Sequence, residues 1–440
     1  MTSKIPKLRK KTRSNSEKRK KTKRKRNRDT VEEDDNEHET KPAEKEKQQE
    51  TKQPSIQQAP QPPSTPTPTP PNNMDPVRKL VDWVVSTHTS IGLGKFFNEN
   101  LATYIPPPEI YKYSGFSDNK FKNRYKDVVC LDATRVILSM EGYSSDYIHA
   151  NHVTFPDFDR KFIATQYPLE DTTEDFWRMI FDESVDTIIS MCNPKGDPDI
   201  KPDRNQTSRE REKEPVSTRT AHPFNFAKST YQLPTTSVRE LPGNNTAYWP
   251  LREGSYTTYG KMFVHTRKIE IADQKTSPSI YTVEVLPEGC SNCNFVKVIN
   301  YPSWPKSSLP SSPRVVLKLI KKVREIDPLQ TGPVVIHCDG GINRSGVVIL
   351  TDLILTRIYS GKSVDVVEVF KRLRNQRASC IQSQYLFIYV FYCVTEYIRL
   401  RCMKGKSQGG NSMTKQIMEL HRDFTKILKD VNTDRIQISR

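Results

Sequence analysis

The stretch from Gly332 to Gly346, Gly-Pro-Val-Val-Ile-His-Cys-Asp-Gly-Gly-Ile-Asn-Arg-Ser-Gly, constrains this chain more than any other part of it. Pro333–His337 reads as a largely apolar strand that delivers Cys338 into a loop. The loop Cys338–Asn343 is short and glycine-rich, and helical spacing resumes over Arg344–Ser360. Such a strand, turn and helix imply an α/β domain. Successive backbone N–H groups of Asp339, Gly340, Gly341, Ile342, Asn343 and Arg344, with the positive end of the following helix, form a cradle for a dianion. Arg344 can offer a bidentate fork to two oxygens of the same group. The same field favours a thiolate, which would make Cys338 a nucleophile at neutral pH. Ser345 can hydrogen-bond the sulfur and help it leave. His337 is expected to order the loop and not to act as a base, since an ionised thiol needs none. The plainer alternative is a structural cysteine beside an ordinary strand-to-helix turn.

Only part of the chain can surround such a strand. Apolar residues make up 34% of the 440 and the mean hydropathy is −0.71, so some of the chain buries nothing. Residues 1–28 hold 15 Lys and Arg against one acid, whereas 29–73 hold ten acids against four Lys. A Pro/Thr/Gln stretch then runs to Pro71. Residues 1–73 are therefore expected to be a disordered tail, because they cannot offset their ordering entropy by burial. The basic run Lys18–Arg26 is dense enough for an importin-type acidic groove, RNA or an anionic membrane face, and a solvated tail without a specific partner is the plainer reading. No recognition motif or interleaved aromatic platform accompanies the charge, so no specific nucleic acid is expected. No stretch reaches the roughly 18 apolar residues of a membrane span and no apolar signal core opens the chain, which points to an intracellular protein, cytoplasmic or nuclear.

The globular pattern starts at Met74, where Val77, Leu80, Val81, Trp83 and Val84 predict a first helix. Ser184–Met191 and Tyr281–Leu286 read as strands, and Pro313–Ile326, Val364–Gln376 and Gln384–Cys402 as helices. One domain over 74–403 is expected, interrupted by a polar insertion at about 193–245. Residues 404–440 read as a polar tail with a short amphipathic helix at Ile417–Leu428. The eight cysteines are too dispersed for a disulfide scaffold. Cys290 and Cys293 form a C-x-x-C without a second Cys/His pair at ligand spacing, so a turn at Gly289–Asn292 is preferred to a zinc or redox site.

His337, Cys338, Gly341, Arg344, Ser345 and Gly346 resemble the H-C-x-x-G-x-x-R-[ST]-G loop of the cysteine-dependent protein tyrosine phosphatases. Similarity to the phosphotyrosine-specific branch extends over most of 74–403, through Lys122–Val128, Asp146–Asn151, Phe162–Leu169, Phe176-Trp177 and Tyr248-Trp-Pro250, in the family's order. The resemblance implies an α/β (α+β) fold, a central twisted mixed sheet flanked by helices. It implies a cysteinyl-phosphate intermediate on Cys338 and no metal or organic cofactor. It would make Tyr125 the aromatic wall on the substrate ring and Asp127 the carboxylate holding the peptide backbone.

The chain also departs from the family's pattern. The general acid of the family's Trp-Pro-Asp loop is replaced by Lys306 in Trp304-Pro-Lys306. A lysine near pKa ~10.4 donates a proton poorly at neutral pH, where a positioned acid contributes roughly 10²–10⁴-fold. Asp339 adds a negative charge that opposes dianion binding unless it points outward or pairs with a base such as Lys306. Asn343 replaces a usual glycine, and His149 and Tyr167 replace a usual Asn and Gly. The glutamine segment after Arg377 is two residues shorter than the family's, so either Gln382 or Gln384 could take the water-positioning place. Two readings result: a phosphotyrosine phosphatase with impaired turnover, or an inactive pseudophosphatase that binds phosphotyrosine proteins.

Overall fold

The computed structural model describes residues 74–195, 246–272, 277–304, 308–325, 332–404 and 410–438. The tail with Lys18–Arg26, nearly all of the insertion and Lys306 lie outside the described residues. At the centre is a mixed sheet of nine strands among the described residues: β1 Arg135–Ile137, β2 Tyr147–Phe155, β3 Phe158–Gln166, β4 Thr187–Ser190, β5 Tyr256–Tyr259, β6 Met262–Glu270, β7 Ser279–Pro287, β8 Asn294–Asn300 and β9 Val334–Cys338. Their spatial order is β1-β2-β3-β9-β4-β8-β7-β6-β5. The inner strands β3, β9, β4 and β8 are parallel, and antiparallel ribbons extend the sheet on both sides.

Every residue of β9 is buried, which is why Val334-Val-Ile336 has no polar face. Its last residue, Cys338, lies opposite Gln166 at the end of β3, while His337 lies opposite Ser190 of β4. The cysteine therefore leaves the sheet at the carboxyl ends of parallel strands, where α/β sheets open a ligand crevice.

Helix α1 Asp75–Ser90 begins with an acid and a proline, both favourable in a first turn, and buries Val77, Leu80, Val81 and Val84 at helical spacing. Then follow α2 Leu93–Asn100, α3 Ser114–Asp118, α4 Thr173–Asp182, α5 Arg314–Arg324, α6 Arg344–Tyr359, α7 Val366–Arg374 and α8 Gln384–Lys404. Helix α6 is buried almost all round, matching its apolar composition from Val347 to Leu355. Cys290 and Cys293 lie in the connection between β7 and β8, which turns at Gly289 with positive φ.

The carboxyl-terminal segment differs most from its sequence reading. Helix α9 runs over Gly410–Ile438, well beyond Ile417–Leu428 at both ends. Met413, Ile417, Leu420, Phe424 and Leu428 are buried in the main core. The intervening polar residues kept the apolar stripe from standing out in sequence, but steps of three and four residues place it on one helix face.

Candidate active site

The loop after β9 is held on both sides of its cysteine. Cys338 is 2% exposed, and the Ser345 hydroxyl donates to its sulfur over 3.4 Å from the first turn of α6. Gly341 has φ +67°, and a Cβ there would stand 2.0 Å from the Thr165 carbonyl oxygen, so only glycine fits where the loop crosses the end of β3. The loop packs onto that strand through Tyr167, whose backbone N–H donates to the Asp339 carbonyl at 2.9 Å.

Arg344 is buried and spends its donors on protein acceptors. One terminal nitrogen donates to the Met191 carbonyl and, at 3.3 Å, to the Trp304 carbonyl. The other donates to Asp339 Oδ2 at 2.7 Å. Asp339 therefore points into the protein, and one of its partners is the arginine of its own loop. Its other oxygen accepts from the Cys192 thiol at 3.3 Å. Burial works against the charge on Arg344, and Cys192, Asp339 and Cys338 outweigh it, raising the guanidinium's pKa.

A second arginine supports the loop from behind. Arg377, fully buried, donates to the Gly340 carbonyl at 2.8 Å and the Gly341 carbonyl at 3.3 Å. It also donates to Asn151 Oδ1 at 2.6 Å and contacts His149 Nδ1 at 3.2 Å. The far nitrogen of His149 meets the Val128 carbonyl at 2.7 Å. Burial first, and the Arg377 charge second, lower the His149 pKa to about 3, so its ring is neutral. Two successive loop carbonyls are thus held from behind by one guanidinium.

His337 is fully buried, and burial lowers its pKa to about 3. Its Nε2 shares a 2.7 Å hydrogen bond with the Tyr248 hydroxyl. Trp177 in turn donates from its indole nitrogen to the Tyr248 carbonyl at 2.8 Å, and the Phe176 and Tyr167 rings pack edge-on against His337. Segments 71 and 89 residues apart in sequence thus meet behind one histidine.

The expected substrate wall stands beside the loop. A Cβ on Gly340 would meet the Tyr125 ring at 3.4 Å. Gln166 fixes this approach: its amide accepts from the Arg124 backbone N–H at 2.9 Å and donates to the Lys122 carbonyl at 2.8 Å. Asp127 is exposed in the same segment. The two glutamines separate clearly. Gln382 meets the phosphate-sized loop, its N–H donating to Asn343 Oδ1 at 3.0 Å and its Oε1 accepting from Asn343 Nδ2 at 3.3 Å. Gln384 accepts from Asn98 on the surface near α2. Ser379 and Ile381 adopt φ of 60° and 56°, which is strained for a β-branched residue. Arg374 secures the bend by donating to the carbonyls of Cys380 and Ile381.

The sequence profile described as protein-tyrosine phosphatase matches residues 119–219 and 228–396, more than half of the chain. This chain belongs to the protein-tyrosine phosphatase family. It is 27% identical over 289 residues to the human receptor-type tyrosine-protein phosphatase epsilon, covering 65% of this chain and 35% of that one. It is 30% identical over 284 residues to the Lar-like tyrosine-protein phosphatase of Caenorhabditis elegans, covering 63% of this chain and 11% of that one. The chain thus spans well under half the length of these receptor-size relatives. Among the described residues, no helix is long and apolar enough to cross a membrane.

Within this tyrosine phosphatase domain, two residues that sequence reasoning left without a role hold the site together. Gln166 lay inside a recognised block but was indistinguishable there from a strand-end polar residue. Arg377 served only to count spacing, and its reach to loop carbonyls 36 and 37 residues earlier had no signal in a single sequence.

Proposed function

We propose that this domain dephosphorylates phosphotyrosine in proteins or peptides through a cysteinyl-phosphate intermediate on Cys338, with turnover held down by Lys306. The observation that carries this reading is the pairing of the Cys338 sulfur with Ser345 at the mouth of a loop whose backbone is tied back by Arg377. The phosphoryl group would sit among the loop N–H groups and Arg344, with its aryl ring against Tyr125. Cys338 attacks phosphorus, the phenolate leaves, and water then releases phosphate and restores the thiolate. Gln382 is the better candidate to position that water, because it adjoins the loop and Gln384 does not.

The departing phenolate needs a proton that Lys306 supplies poorly, so natural substrates should suffer more than activated aryl phosphates. A second reading, an inactive phosphotyrosine-binding pseudophosphatase, is favoured by Lys306 and by the carboxylate already paired with Arg344. In either case the partner is a phosphotyrosine protein inside the cell, with Lys18–Arg26 available to an importin-type groove.

The deciding experiment compares the full chain with Cys338→Ser on p-nitrophenyl phosphate and on a phosphotyrosine peptide. The wild type should turn over the aryl phosphate and the variant should not. Lys306→Asp should raise the peptide rate by roughly 10²–10⁴-fold with a much smaller gain on the aryl phosphate. Peptide binding without turnover in any variant would establish the pseudophosphatase instead.

A further inference from the structure

A cradle for a dianion gains nothing from a carboxylate beside its arginine, and this loop builds one in. Asp339 directly follows Cys338, is largely buried, and places Oδ2 2.7 Å from Arg344 Nη2. Oδ1 is occupied by the Cys192 thiol, which holds the carboxylate in that orientation. Of the five guanidinium N–H groups of Arg344, three are spent: two on the Met191 and Trp304 carbonyls and one on Asp339. An approaching phosphoryl dianion meets an arginine that already faces a carboxylate of the dianion's own sign.

We propose that Asp339 is an internal brake on oxyanion binding, an anion of the protein that competes with the substrate's phosphoryl group for Arg344. The proposal rests on the loop being a phosphate cradle, and it names what sets the cradle's affinity. Asp339 acts through Arg344, so it is a positioning residue and takes no part in bond making. Trp304, on the other nitrogen, begins the Trp-Pro-Lys segment. Rotation of Arg344 away from Asp339 would therefore also loosen its hydrogen bond to the Trp304 carbonyl. The brake then has two effects: weaker binding of any tetrahedral oxyanion, and an arginine held against the Trp304 carbonyl.

The two consequences separate in measurement. Inorganic phosphate is titrated calorimetrically into the full chain and into Asp339→Asn, Asp339→Ser and Asp339→Glu, each first checked for cooperative melting. Removing one unit charge a few ångströms from the ligand should tighten phosphate binding by roughly 10- to 100-fold in the Asn and Ser variants. The Glu variant, which keeps the charge, should stay within a few-fold of the wild type. With an aryl phosphate, KM should fall in the Asn variant while kcat changes little, a split that a merely structural role of Asp339 would not produce. Equal or weaker phosphate binding in both neutral variants overturns the brake. If no protein, wild type included, binds phosphate, the cradle reading itself falls and the brake with it; if all bind equally, the cradle stands and only the brake is lost.

Discussion

Two buried arginines grip the same loop, and their partners differ in kind. Arg377 donates to neutral acceptors: the carbonyls of Gly340 and Gly341, the amide oxygen of Asn151 and a ring nitrogen of His149. Arg344 donates to a carboxylate and to two carbonyls on neighbouring segments. A guanidinium among neutral dipoles shapes backbone and keeps its charge unspent. One paired with a carboxylate must exchange or share that partner before it can serve a ligand. The first is scaffold for a charged site, and the second is the adjustable part of it.

The comparison breaks most visibly at Arg344. Arg344→Met should lower aryl phosphate turnover by about 10²–10³-fold or more, as expected for removing a principal oxyanion donor. It should also destabilise the fold, because the buried Asp339 loses its guanidinium partner. Adding Asp339→Asn to Arg344→Met should restore melting temperature without restoring turnover. If the double variant melts no higher than the single one, the two residues are not coupled as described.

Arg377→Met should act on stability and activity together. Two loop carbonyls and Asn151 lose a charged donor, and each unsatisfied buried group costs about 1–3 kcal/mol. Denaturant unfolding should register a loss of roughly 3 kcal/mol or more, and no change at Asp339 should repair it. A variant that melts normally yet fails to bind phosphate would make Arg377 a ligand-binding residue and erase the contrast.

A third effect comes from the neutral histidines that fill the scaffold side. Burial lowers the pKa of His149 and His337 to about 3, and of His421 on α9 to about 4. The unfolded chain binds protons at these positions below its ordinary histidine pKa of about 6.5, and the folded chain does not. Stability should therefore be fully present above about pH 6.5 and fall as the pH drops toward 4, by up to about 1.4 kcal/mol per pH unit for each proton. His149→Asn keeps a donor and an acceptor but cannot titrate, so it should flatten this acid limb by one proton. An unchanged slope in urea melts at pH 4.5 to 6.5 would show that His149 is already charged in the fold.

The smallest effect is expected where the loop meets the glutamine segment. Asn343→Gly removes both hydrogen bonds to Gln382, worth about 0.5–1.5 kcal/mol each. Breakdown of the phosphoenzyme should change by about tenfold, seen as an altered burst of p-nitrophenol, with phosphate affinity nearly unchanged. An effect confined to affinity would assign Asn343 to the cradle and take Gln382 out of the water-handling step.

Much of this architecture is legible along the chain. The apolar run at Pro333–His337 predicts a strand, and β9 occupies Val334–Cys338, between β3 and β4. The Gly-rich loop and the helix opened by Arg344 stand where the spacing puts them. Tyr125 and Gln382 stand beside the loop, whereas Gln384, the other candidate in the same segment, accepts from Asn98 instead. Helix α9 was half legible, because its apolar residues are few per turn and become a core face only once α8 and α1 are there to cover them.

What the sequence determined by itself is whatever depends on neighbours in the chain. Strand, loop and helix follow from local apolar patterning, a glycine-rich turn, and a cysteine separated from an arginine by five residues. Tertiary structure alone decided which charge answers which. Asp339 meets Arg344 and Cys192 because β4 brings Met191 and Cys192 alongside β9. Arg377 acquired its place in the same way, when β2 set Asn151 and His149 behind the loop 226 and 228 residues away in sequence. Buried charges take the partner that strand register delivers within hydrogen-bond reach, and register is a property of the assembled sheet.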